Sequence, residues 1–124
     1  MKRTKEISTF ILGAVLAFLM FYCVCPPLTY ANPPQDVKLA YDSHSQTLTV
    51  TITHKSSFTG FHYIKSVEIK KNGIAVITNT YDSQPDPETF TYKYKVSAAK
   101  GDTLEATATC SLSGSKTTTL VVEK

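Results

Sequence analysis

The sequence predicts an all-β domain, a seven-stranded antiparallel sandwich behind an N-terminal leader, and three observations predict it. Beyond residue 32, apolar and polar residues alternate with a period of two, and no segment carries a helical period. Turn signals rich in Gly, Asn, Asp and Ser punctuate these runs at short intervals. Before residue 32, a basic start is followed by one unbroken apolar run.

The leader comes first. Lys2, Arg3 and Lys5 precede residues 10–24, FILGAVLAFLMFYCV, a run of signal-peptide length and short for a membrane span. Pro26 and Pro27 end any helix, and Thr29-Tyr30-Ala31 offers small residues where a signal peptidase reads them. Residues 1–31 are therefore expected to be a signal peptide cut after Ala31. Neither Cys23 nor Cys25 follows the small residue that lipidation needs. A membrane association is expected only if the leader stays uncleaved, with Ile7 and Ser8 extending the run toward spanning length.

Residues 32–124 support one small domain with one core. Without Lys2, Arg3, Lys5 and Glu6, the 13 basic and 10 acidic residues fall to 10 and 9. A balance of +1 gives no electrostatic footprint for nucleic acid or anionic lipid. Of three cysteines, the exported domain keeps Cys110 alone, so no disulfide can staple it.

Seven strands, A to G, follow in order. Val37, Leu39 and Tyr41 alternate in strand A, and Leu48, Val50 and Ile52 in strand B, with threonines on the other face. Strand C begins at His62 and runs through Ile64, Val67 and Ile69. Asn72-Gly73 is a hairpin signal, because a type I′ turn needs positive φ at both central residues. Strand D, residues 74–80, returns from it, and residues 81–87, YDSQPDP, form a turn-rich crossing. Phe90, Tyr92, Tyr94 and Val96 alternate in strand E; Leu104, Ala106, Ala108 and Cys110 share one face of strand F. A turn at Ser113-Gly114-Ser115 leads to strand G, residues 120–123. Seven such strands make an immunoglobulin-like β-sandwich.

That topology yields a site. His54 ends strand B, His62 opens strand C, and Cys110 ends strand F. In an immunoglobulin-like sandwich the B–C and F–G loops lie at one end, so the three side chains should converge. Two imidazoles and a thiol suit iron, zinc or copper, whereas calcium and magnesium want carboxylates. His44, in the A–B turn, belongs at the opposite end and is left out. There is no Gly-rich phosphate loop, no histidine soon after Cys110 as a cupredoxin would have, and no third group to orient a Cys-His nucleophile.

His54, then His62-Tyr63-Ile64 leading to Val67-Glu68, resembles the H-P-x-x-x-x-H-[HY]-I-x-W-I-E segment of the superoxide reductase and desulfoferrodoxin iron domain. Cys110-Ser111-Leu112-Ser113-Gly114 resembles that family's C-N-x-H-G ligand turn. The resemblance implies an immunoglobulin-like domain binding ferrous iron through His54, His62 and Cys110, with superoxide as substrate and an electron-donor protein as partner. The family uses four histidines and a cysteine. Ser113 stands in place of one histidine and nothing in residues 32–36 supplies another, so three of the five ligands remain. The implied activity is metal binding with weak or no reductase turnover, with zinc or copper as alternative occupants.

A second likeness points elsewhere. His62-Tyr63-Ile64, Asn72-Gly73-Ile74-Ala75-Val76 and Lys100-Gly101-Asp102-Thr103-Leu104 resemble the Z subunit of the Sox thiosulfate-oxidising complex. That likeness implies a non-catalytic adaptor whose partner is a sulfur-carrier protein. Either resemblance implies an exported, periplasmic or extracytoplasmic domain.

Overall fold

A computed structural model describes residues 32–124; the expected signal peptide, residues 1–31, lies outside the described residues. Seven strands form: β1 (Asp36–Asp42), β2 (Thr47–Thr53), β3 (Ile64–Lys71), β4 (Ile74–Thr80), β5 (Thr89–Lys95), β6 (Thr103–Cys110) and β7 (Ser115–Val121). All pair antiparallel, in a three-stranded sheet β1-β2-β5 and a four-stranded sheet β4-β3-β6-β7. The described residues are thus an all-β sandwich, as the period-two pattern requires.

The core lies between the inward faces of the two sheets. Leu48, Val50, Ile52, Phe90 and Tyr94 come from the three-stranded sheet. Ile64, Val67, Ile69, Leu104, Ala106 and Ala108 face them from the other. Small alanines in β6 leave room for the branched residues opposite, so the sheets can close without voids. The β3–β4 hairpin turns at Asn72 (φ 51°) and Gly73 (φ 82°), the positive pair that a type I′ turn demands.

Two boundaries differ from the sequence reading. Strand G was expected over residues 120–123, but β7 starts at Ser115, which pairs with Thr109. Its first half is polar and lies on a sheet edge, so burial never imposed an apolar pattern there. Strand C was expected to open at His62, whereas β3 opens at Ile64 and His62 sits in the preceding loop.

Between Ile64 and Ser66 the β3–β6 register shifts, leaving Lys65 as an extra residue. Inward residues Ile64 and Val67 stand three apart, which strict alternation forbids; the bulge makes up the difference. Everything before Lys65 is thereby turned over relative to the rest of β3. His62, in the loop before Ile64, brings its ring to 4.5 Å from that of His54.

Candidate metal centre

His54 and Cys110 extend the inward rows of two strands by one step. On β2 the row Leu48, Val50, Ile52 continues to His54; on β6 the row Leu104, Ala106, Ala108 ends at Cys110. The strands belong to opposite sheets, so the imidazole and the thiol close one end of the core from both sides. Each is 1% exposed. His62 enters from the loop between β2 and β3, half-buried, with its ring centroid 4.5 Å from that of His54 in an edge-to-face contact.

The potential ligand atoms of His54, His62 and Cys110 all lie within 4.8 Å of one another. A metal with bonds of about 2.0–2.3 Å holds its ligand atoms roughly 3.4–3.8 Å apart, so a contraction of at most about 1.0–1.4 Å brings all three into contact with one ion. The expected convergence of these three residues is what the fold produces. His44 stands apart, in the exposed β1–β2 turn, its amide donating to Asp42 Oδ1 at 2.9 Å.

Gln84 fixes the His54 ring. Its Nε2 donates to the carbonyl oxygens of His54 and Asp86, each at 2.8 Å, which settles the orientation of the amide. Its Oε1 then faces His54 Nδ1 at 2.8 Å and can only accept, so the proton is on Nδ1. The other nitrogen, Nε2, keeps a free lone pair. It is buried with no hydrogen-bond partner, as is Nε2 of His62. Two orphaned nitrogens beside a buried thiol form an expensive arrangement in a metal-free protein and an ordinary one around a metal.

The loop holding His62 is fastened on both flanks. Ser56 Oγ donates to the His62 carbonyl, and the His62 amide donates to Phe58 O at 2.7 Å. Ser111, next to Cys110, donates through Oγ to Phe61 O at 3.0 Å and accepts from the Tyr63 amide at 3.1 Å. The Cys110 amide donates to Gly114 O at 2.9 Å, closing the turn that follows β6. Gly114 has φ +88°, and a Cβ there would lie 2.8 Å from the Pro33 nitrogen. Only glycine lets the chain before β1 pack on the turn that carries Cys110.

That N-terminal stretch builds the open side of the centre. Asn32, Pro33, Gln35 and Lys55 join His54 and His62 around a cavity of about 260 Å³. Gln35 Oε1 accepts from the Lys55 amide at 3.1 Å, and the Lys55 ammonium pairs with Glu88 at 3.7 Å. Burial, reinforced by the neighbouring His54, holds the His62 imidazole below its usual pKa, so it stays neutral and able to ligate at pH 7. Two imidazoles and a thiol fit a borderline or soft transition metal; residues with this chemistry and closeness could hold one.

The sequence reading missed Gln84 and Ser111. Ser111 carried a weak signal, as the residue after Cys110. Gln84 lies in a polar crossing segment, and nothing in the sequence marks it as 4% exposed. The chain matches no protein-family model, and no curated protein matches it significantly.

Proposed function

We propose that this protein is an exported metal-binding domain that holds iron through His54 Nε2, His62 Nε2 and the Cys110 thiolate, as a divergent relative of superoxide reductase. The observation that carries the reading is the pair of buried, partnerless Nε2 atoms beside the Cys110 thiol. The His54 ring needs no rearrangement to ligate, because Gln84 already keeps its proton on the far nitrogen. Cys110 supplies the negative charge, and the two neutral imidazoles leave the rest of the metal's charge uncompensated. Iron held by these residues would supply a single electron to an oxidant such as superoxide, and an electron-donor protein would replace it. With three protein ligands the centre binds less tightly than a five-ligand one and turns over slowly if at all, and zinc or copper competes for it.

Metal analysis of the domain purified without chelator, beside Cys110→Ser and His62→Ala, tests the reading. One equivalent of metal, lost in both variants, supports it. A domain that stays empty after anaerobic ferrous loading ends it, and a superoxide assay on the iron form separates enzyme from binder.

A second reading, a metal-free adaptor for a sulfur-carrier protein, has one observation behind it. Edge strand β4 carries no charged residue and exposes Ile74 and Val76. An unguarded edge of this kind suits an added strand from a partner. Copurification of a partner bearing a reactive cysteine, abolished by Val76→Lys, supports the adaptor; an unpartnered, metal-loaded monomer counts against it.

A further inference from the structure

The β3–β4 turn carries a residue pair with a chemistry of its own. Asn32 precedes Pro33 and Asn79 precedes Thr80, so Asn72 alone among the asparagines is followed by glycine. With no side chain on Gly73, its backbone nitrogen is unhindered in attacking the Asn72 side-chain carbonyl carbon. A Cγ–N bond then forms, the Cγ–Nδ2 bond breaks, and ammonia leaves with the proton of the Gly73 amide. Water opens the resulting cyclic imide at either carbonyl, giving aspartate or isoaspartate. No oxidant or enzyme is needed, and both residues are exposed to water.

In the folded domain this side chain is held elsewhere. Asn72 Nδ2 donates to Asp102 Oδ1 at 3.0 Å, and Asn72 Oδ1 accepts from the Thr103 amide at 2.9 Å. The Asn72 amide donates to Thr103 O, also at 2.9 Å. Both side-chain heteroatoms thus face the start of β6. Cγ cannot turn onto the Gly73 nitrogen until those bonds break. Asp102 is fixed in turn, its Oδ2 accepting from the Ala99 amide at 2.9 Å. That bond first, and then the one from Asn72, holds its carboxyl below the usual carboxylate pKa, so it is ionised at pH 7.

Conversion has a structural consequence. An aspartate at 72 places a carboxylate oxygen where Nδ2 stood, 3.0 Å from Asp102 Oδ1, so a hydrogen bond is exchanged for a like-charge contact. Isoaspartate instead adds a methylene to the backbone of a two-residue turn whose geometry depends on positive φ at both positions. Either product loses the tie to Asp102.

We infer that Asn72 is a latent deamidation site, kept intact by its clasp to Asp102 and Thr103 and released when the β3–β4 turn opens. Asn72 follows the last residue of β3 and Thr103 opens β6, whereas Cys110 ends β6. The site therefore lies at the opposite end of the sandwich from the candidate metal centre and stands independently of the metal reading.

Ageing the purified protein at neutral pH, with isoaspartate counted by methyltransferase labelling, tests this. A synthetic peptide of residues 68–77 should gain isoaspartate several-fold faster than the folded protein, and folded Asp102→Ala should do so several-fold faster than the parent. Asn72→Asp, which copies one product, should lower the urea midpoint, and adding Asp102→Asn should restore most of the loss. A parent that ages as fast as the peptide, or a folded Asp102→Ala that ages no faster than the parent, overturns the inference. Where Asp102→Ala does not fold, the other pair decides: an Asn72→Asp protein as stable as the parent removes the clasp.

Discussion

His54 and Gln84 are joined twice: ring to amide oxygen, and amide nitrogen back to the histidine's own carbonyl, both at 2.8 Å. The second bond makes the first one informative, since it fixes which amide atom faces the ring. Gln84→Ala should weaken metal binding about 10- to 100-fold, the usual effect of removing a partner that orients a ligand. Competition with a chelator of known affinity measures it. An unchanged affinity would mean that His54 does not ligate through Nε2.

The depressed pKa of His62 makes the metal-free domain sensitive to acid. In the unfolded chain the imidazole takes a proton near its ordinary value of 6.5; in the folded domain it does so only at lower pH. The unfolded state therefore binds more protons in that window, and stability rises with pH there. Urea midpoints should be steady above pH 6.5 as far as His62 is concerned and fall as pH drops through the lowered value. His62→Ala should lose that component, and a variant with the same acid profile as the parent would refute the assignment.

Gly114→Ala should destabilise the domain by about 1–3 kcal/mol, because a side chain at positive φ is strained and its Cβ presses on Pro33 backbone. The displaced segment also walls the cavity beside His54 and His62, so metal affinity should fall with stability. Denaturant midpoints and chelator competition on one preparation check both effects.

Tyr81 and Tyr94 share a hydroxyl bond of 2.8 Å, with Tyr94 buried. Tyr81→Phe leaves the Tyr94 hydroxyl without that partner and should cost about 1–3 kcal/mol while leaving metal stoichiometry intact. Tyr92, stacked on Tyr81 at 4.3 Å, is pushed up to about 12, first by burial and then by the charge of Tyr81. Ultraviolet titration should find it ionising above the ordinary tyrosine range, with a lower value once Tyr81 is removed.

How much was legible follows from where burial acts. Strands β2, β5 and β6 carry their cores in a period of two, and His54 and Cys110 could be placed because each extends such a row. His62 was legible by residue type and loop position. Its approach to His54 comes through the loop before β3, where strand alternation gives no guide. β7 was read too short because its edge is threonine-rich and half wet. Gln84 was invisible: its burial comes from His54, thirty residues away, and local composition carries no record of that contact.

In the proposed centre, His54, His62 and Cys110 act together on one ion. Anaerobic titration of the domain with Co²⁺, followed by thiolate-to-metal charge-transfer absorption, tests it most directly. A band should appear that saturates at one equivalent, vanishes in Cys110→Ser and weakens in His62→Ala. A domain that binds no cobalt, or binds it with no thiolate band, would contradict it.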